Sequence, residues 1–207
     1  MYAQYGCGFS APQEWRNFDA SLTLRWERTP ILGRLYTKNE QRFPSTVECG
    51  DIVRGLPLAE GSCKGVYASH VLEHLPLEDF HQALENTRRI LAAGGVFRLV
   101  VPDLASAARE YCAGFDAGDT KASSTFLKET LLGEERRPRN LAGFIYSFLV
   151  TSRHCWMWDA VSLEGALNKH GFARVRRCQF GDCEDPMFSL VEDPGRFERS
   201  VAMEARR

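Results

Sequence analysis

A chain of 207 residues can bury one sizeable core but not two, so a single domain carrying insertions is expected. Hydrophobic residues make up 44% and charged residues 26%, a balance that excludes long-range disorder. With 26 basic residues against 27 acidic ones and a formal charge of −1, no global field attracts nucleic acid or an anionic membrane, and small-molecule chemistry fits better.

In chain order, Met1 to Tyr5 is a first strand candidate that runs into Gly6-Cys7-Gly8, and Asn17 to Asp19 and Val47 to Asp51 are shorter candidates that each end in a carboxylate. Too few residues separate Gly8 from Asn17 for a full crossover helix, so a single turn or irregular link is expected around Pro12 and Trp15. Ser21 to Pro44 is mixed in character and predicts a loop with room for one short helix. Gly65 to Ser69 is a short buried strand that breaks into His70-Val71-Leu72-Glu73-His74-Leu75. From Pro76 onward Phe80, Leu84, Thr87 and Leu91 recur at helical spacing, with acids early and Arg88 and Arg89 late, which complements the helix dipole; Gly94-Gly95 is the expected stop. Val96 to Val101 is a nearly unbroken apolar run of the kind found in a strand covered on both faces, and Pro102-Asp103 ends it. Strand, helix and strand form a parallel, right-handed βαβ unit, so Ser69, His70, Pro102 and Asp103 should face one crevice.

Farther along, helices are expected over Leu104 to Ala113 and near Thr125 to Leu132, followed by the apolar run Ala142 to Val150. The whole stretch exceeds a bare connection, so within one domain spanning 1–207 a helical insertion at about 114–153 should lie over the active edge. Residues 144 to 150 could form a lid, a dimer face or a buried helix; the buried helix is preferred, and a homodimer stays open. Asp159 to His170 predicts a helix with Leu163 and Leu167 inward, stopped by Gly171, and Phe172 to Phe180 with Ser200 to Ala205 predict an antiparallel pair at a sheet edge. The fold class is therefore α/β, Rossmann-like and mostly parallel.

The seven cysteines are odd in number and scattered without a CxxC pair, which points to reduced thiols in a cytoplasm and away from a structural zinc site. The start carries neither a basic n-region nor an apolar h-region, and no apolar run approaches a membrane span, so neither export nor insertion is expected. The clusters Arg88-Arg89, Arg136-Arg137 and Arg174 to Arg177 lack interleaved aromatics and are read as solvated faces, not as a nucleic-acid surface.

Several residues could carry chemistry. Glycines at 6 and 8, around Cys7, let backbone approach a ligand, although a lone GxG is a weak signal and Ser10 stands where a third glycine would complete the pattern. Asp19 could accept both hydroxyl protons of a ribose, and Asp51 could meet an adenine amine with Ile52 against the ring; either aspartate could equally be a turn former. His70-Val71-Leu72-Glu73-His74 matches the H-x-x-E-H pattern of some zinc hydrolases. That chemistry needs both histidines inside one continuous helix, whereas His70 comes directly off a strand, so no metal is expected.

Taken together and in order, these motifs resemble the class I methyltransferases, and more narrowly a bacterial, type 11-like branch. The resemblance rests on Gly6-Cys7-Gly8, Trp15 to Asp19, Asp51 to Pro57, Ser69 to Leu75, Leu91 to Gly95 and Val101 to Leu104, resuming at His154 to Asp159 and the closing strand pair. It implies a seven-stranded sheet with one antiparallel strand and S-adenosylmethionine lying across the strand ends. Gly6, Cys7 and Gly8 would line the methionine moiety, Asp19 the ribose, and Asp51 with Ile52 the adenine, while Ser69, His70 and His74 would border the sulfonium and acceptor pocket. The acceptor would be a small molecule or sugar, methylated on oxygen or nitrogen. A hydroxyl acceptor also requires a base, for which His154, His74 and Asp103 are the candidates. Of Trp156 and Trp158, one should belong to the core and the other to the pocket. Two alternatives are a catalytically silent cofactor-binding or scaffold protein of this fold, and, behind it, a zinc hydrolase using His70 and His74.

Overall fold

The structure, a computed structural model, describes residues 1–30, 41–133 and 153–207. The early apolar runs form β1 (Tyr2–Tyr5), β2 (Trp15–Asp19) and β3 (Val47–Cys49), and the central βαβ unit consists of β4 (Cys63–Ser69), a helix α2 (Leu77–Ile90) and β5 (Leu91–Pro102). The short helix α1 (Leu22–Glu27) follows β2, its cap formed by the Ser21 side chain accepting from the Leu24 amide. Beyond β5 come α3 (Leu104–Asp116), α4 (Ala122–Glu129), α5 (Ala160–Lys169), β6 (Ala173–Arg177), a 3-10 segment (Pro186–Leu190), α6 (Pro194–Phe197) and β7 (Ser200–Arg206). Between β1 and β2 there is no helix, as the short link requires. The expected run Ala142 to Val150, Arg136-Arg137 and about half of the proposed insertion, residues 134–152, lie outside the described residues.

The strands hydrogen-bond into one seven-stranded sheet in the order β3-β2-β1-β4-β5-β7-β6. Strands β1 to β5 are parallel, β7 runs antiparallel between β5 and β6, and the order reverses between β1 and β4. This is the Rossmann-like arrangement, in which ligands bind outside the carboxyl ends of the strands at the reversal point. Tyr5 pairs with Phe18 and Ala68, Asp19 with Cys49, and Ser69 with Val100, so these strands end along one rim.

Helices α2 and α5 cover one face, burying Phe80, Leu84, Leu163 and Leu167 against Phe18, Phe97 and Leu99. On the other face, Phe188 packs edge-on to Tyr2, Trp15 and Tyr67, backed by Val100, Val191 and Ala202. The helix α2 stops at Ile90, earlier than Gly94-Gly95 suggested. Leu91, fully buried, pairs instead with Cys63 as the first residue of β5, and the glycines serve a strand irregularity. Gly94 has φ +73°, and a Cβ at Gly95 would lie 2.9 Å from the Cys63 and Ala92 carbonyl oxygens. β6 likewise ends at Arg177, short of the expected Phe180, because the chain turns there to bring Gln179 and Asp182 over the sheet.

Alternation places Phe97, Leu99 and Val101 of β5 on the helix-covered face and Val96, Arg98 and Val100 on the other. Arg98 is 1% exposed. It donates to Glu192 Oε1 at 2.7 Å, Glu204 Oε2 at 2.8 Å, Asp182 Oδ1 at 2.9 Å and the Gln179 carbonyl at 3.0 Å. Arg176 adds bonds to Glu204 and Asp182 from the solvent side. The arginines at 88, 89 and 176 are thus structural: Arg88 donates to the Gly171 carbonyl and Arg89 to those of Leu56 and Leu58. Burial pushes the Glu204 and Asp182 carboxyls up, but the hydrogen bonds from Arg98 and Arg176 outweigh it and hold both below their ordinary range.

Replacing Arg98 by alanine leaves three carboxylates facing one another, and should lower stability by about 3–5 kcal/mol at neutral pH in urea titrations. Depressed carboxyls stabilise the fold above their unfolded pKa, near pH 4, and lose that contribution as pH falls through the folded values. The deficit of the variant should therefore shrink in acid; a deficit independent of pH would show that lost packing, not charge, is responsible. A second prediction concerns Gly6, at φ +64°, where a Cβ would overlap Val71 Cγ2 and lie 3.2 Å from its Cβ. Gly6→Ala should destabilise by about 1–3 kcal/mol, and Val71→Ala in the same chain should restore the steric part; thermal melts of the two variants that simply add would exclude the contact as the cause.

Candidate active site

Four strand ends meet on the rim. After β1, Gly6 crosses the segment that follows β4, and Gly8, at φ +54°, has no atom within 4 Å of where a Cβ would sit, so the backbone there borders open space. Its amide donates to Asp19 Oδ2 at 3.1 Å, while the Ser21 amide donates to Asp19 Oδ1 at 2.8 Å. Asp19, 8% exposed, thus ties the loop after β1 to the start of α1 and keeps lone pairs on both oxygens. Burial, and then the Asp19 charge, push the Cys7 thiol up to about 12, so it stays protonated.

Asp51 accepts from the Val53 amide at 2.9 Å and pairs with Arg54 at 3.5 Å, the geometry of a turn, and its side chain stays partly exposed. Ile52 is 5% exposed and belongs to the main core cluster. Asp103 caps α3, its Oδ1 accepting from the Ala105 amide at 3.0 Å. The tryptophans divide: Trp158 is buried and stacked on Phe80 at 4.1 Å, and Trp156 is exposed.

The densest chemistry lies just past β4. His70 adopts φ +53°, a left-handed conformation that costs a non-glycine residue free energy and marks an imposed geometry. Its amide donates to the Val100 carbonyl, and its Nε2 bonds the Arg196 carbonyl at 2.9 Å. Burial pulls the His70 imidazole down, but the Glu73 carboxylate and the Arg196 carbonyl outweigh it and leave the ring above its ordinary value. A 3-10 turn, Leu72–His74, then buries Glu73 completely. Neither Glu73 oxygen has a hydrogen-bond partner. Around them stand His70 Nδ1 at 3.4 Å from Oε1, His74 Nε2 at 3.9 Å, and His154, which the segment 153–158 brings over the turn as the Cys155 and Trp156 amides donate to the Glu73 carbonyl. Burial holds the His154 imidazole below its ordinary value, so it is neutral at neutral pH.

The structure therefore joins Gly6, Gly8 and Asp19 into one loop system and gathers His70, His74 and His154, whereas Asp51 and Asp103 are engaged in local turns. Glu73, at the centre of the histidines, is the residue that sequence reasoning passed over; its signal was the H-x-x-E-H spacing, in which only the two histidines were weighed. The glycine-lined opening, the residual acceptor capacity of Asp19 and the buried Ser69 hydroxyl, which reaches no hydrogen-bond partner, suit a nucleoside joined to a cationic sulfur. Among the described residues no helix is long and apolar enough to cross a membrane.

A family described as a methyltransferase domain matches residues 11–176. Solved structures similar to this chain include an S-adenosylmethionine-dependent methyltransferase from Archaeoglobus fulgidus, at 15% identity and TM-score 0.49, covering 100% of this chain and 85% of that one. Another, from Mesorhizobium loti, has 14% identity and TM-score 0.49 and covers 100% and 90%. A possible histamine N-methyltransferase from Thermotoga maritima has 16% identity and TM-score 0.48 and covers 99% and 81%. No curated protein matches the sequence. With most of its length matched, the chain belongs to the methyltransferase domain family, class I enzymes whose methyl donor is S-adenosylmethionine.

Proposed function

We propose that this chain methylates a hydroxyl or amine of a small-molecule or glycan acceptor at the rim beside His70 and His154. The observation that carries the reading is the opening at Gly8 next to Asp19, a buried carboxylate with acceptor capacity to spare. In this assignment Gly6, Cys7 and Gly8 border the methionine part of the cofactor, Asp19 its ribose hydroxyls, and Asp51 and Ile52 the adenine. Ser69 and His70 border the sulfonium.

S-adenosylmethionine supplies a methyl group already attached to an activated leaving group. The protein's own tasks are then to align an acceptor lone pair in line with that group, to exclude water, and to take up a proton where the acceptor is a hydroxyl. His154 suits the last task best of the three candidate bases, because burial keeps it neutral and Glu73 can stabilise the imidazolium that forms. His74 shares that surrounding. Asp103 already commits one oxygen to its helix cap. Exposed Trp156, 6.3 Å ring to ring from buried Trp158, is placed to flank a sugar or an aromatic acceptor.

Charged hydrogen bonds contribute about 1.5–3 kcal/mol, so Asp51→Ala and Asp19→Asn, the latter retaining an acceptor for the turn, should each weaken S-adenosylhomocysteine binding roughly ten- to a hundredfold by calorimetry. Unchanged affinity in a folded variant would remove that residue from the site. His154→Ala should lower turnover on a responsive acceptor while S-adenosylhomocysteine affinity stays as in the parent; full turnover would exclude it as the base.

A further inference from the structure

The histidine cluster holds a contradiction as it stands. Glu73 is fully buried with no hydrogen bond to either oxygen and only His70 Nδ1, at 3.4 Å from Oε1, to offset its charge, and burying a carboxylate so sparsely partnered is costly. One of the imidazoles beside it is already oriented. His74 Nδ1 lies 2.7 Å from the Arg153 carbonyl oxygen, which can only accept, so Nδ1 bears the proton and Nε2 turns its lone pair toward the Glu73 oxygen 3.9 Å away. His154 Nδ1 is buried and has no hydrogen-bond partner. That nitrogen is free to turn a lone pair toward an ion.

Each ring thus keeps one nitrogen bare, and His74 donates its other N–H to a backbone carbonyl, the outer-shell arrangement that fixes the tautomer of metal-ligating histidines. One donor atom from each of Glu73, His74 and His154 lies within 4.8 Å of the others. Ligands about 2.0–2.2 Å from a tetrahedral zinc ion stand about 3.3 Å apart, so closure on an ion asks each group to move by about 1 Å or less. Two imidazoles and one carboxylate select a divalent transition metal over magnesium or calcium, and three protein ligands leave a position open.

We infer that Glu73, His74 and His154 form a binding site for a divalent transition metal, with zinc as the preferred ion, beside the methyl-transfer rim. The set differs from the His70 and His74 pair of the hydrolase pattern: His70 Nδ1 faces Glu73 Oε1 at 3.4 Å but lies outside the group whose donor atoms converge within 4.8 Å. The His74 side chain is 29% exposed, so an ion there is not sealed from the crevice. One consequence rests on the proposed methyl-transfer reading: with the ion bound, an acceptor hydroxyl would enter the open position, and His154 would serve as a ligand in place of a base.

The test uses the whole chain, stripped with a chelator, dialysed and titrated with cobalt(II) alone and then with zinc alone. Expected are one ion per chain, visible d–d absorption of low-coordinate cobalt without a thiolate charge-transfer band, and a rise in melting temperature with zinc. Glu73→Gln and His154→Ala should each weaken binding at least about tenfold, and Cys155→Ser should leave it unchanged. If Glu73→Gln does not fold, His154→Ala with His74→Ala decides. Absence of binding by the parent chain, equal binding in the ligand variants, or a thiolate band lost in Cys155→Ser would each overturn the site. S-adenosylhomocysteine titrated into the same samples separates the two readings: a chain that binds it but no metal loses this inference alone.

Discussion

A single buried guanidinium constrains more of this fold than any other group. Arg98 sits mid-strand in β5, and no charged side chain can stay there unless its donors are satisfied. Its partners come from β7, the turn after β6 and the segment before α6, so the chain beyond residue 177 must return across the sheet's second face. The same requirement fixes register. Arg98 stands opposite Glu204, which stands opposite Arg176, giving a row of alternating charge across three strands. A slip of one residue would turn Glu204 to the other face and set Arg98 against apolar neighbours.

That constraint reaches the site through the backbone. Glu192, held by Arg98, is followed within a few residues by Arg196, whose carbonyl oxygen accepts from His70 Nε2. β5 itself supplies the Val100 carbonyl that receives the His70 amide. The left-handed His70 is thus held from two directions by elements that the buried ion network positions. Strain at a strand end persists only when its surroundings over-determine it, and here they do. The turn that follows then has no freedom to place Glu73 anywhere but inside.

Much of this was legible in the sequence because it depends on short-range pattern. The apolar run of β5, the periodic face of α2, the Asp159 cap with Leu163 and Leu167 inward, and the acidic or glycine ends of the early strands all speak through spacing alone. What spacing could not supply was partnership at a distance. Arg98 looked like an exception within an apolar run, since its carboxylates lie about eighty to a hundred residues away along the chain. Glu73 and His154 are similarly remote, and nothing local announces that the carbonyl of one receives amides next to the other. Gly94-Gly95 misled for a different reason: glycine signals a left-handed or crowded backbone, and a strand irregularity uses that freedom as readily as a helix terminus does.

The contrast between the two buried charged groups separates architecture from chemistry. Arg98 is surrounded by acceptors and has every reason to stay as it is. Elsewhere in the interior polar side chains are matched too: Gln4 donates to Asn17 at 2.7 Å, and Tyr5 shares a hydrogen bond with Thr87 at 3.2 Å. The buried polar atoms left without partners among the described residues belong to Tyr67, Ser69, Glu73, His154 and Trp158, on β4, the turn after it and the segment laid over that turn. A fold able to satisfy a guanidinium in the middle of a sheet does not lack the means to pair a carboxylate at its rim. Of these groups Ser69, Glu73 and His154 stand at or over the end of β4, where their unspent bonding capacity is open to a ligand.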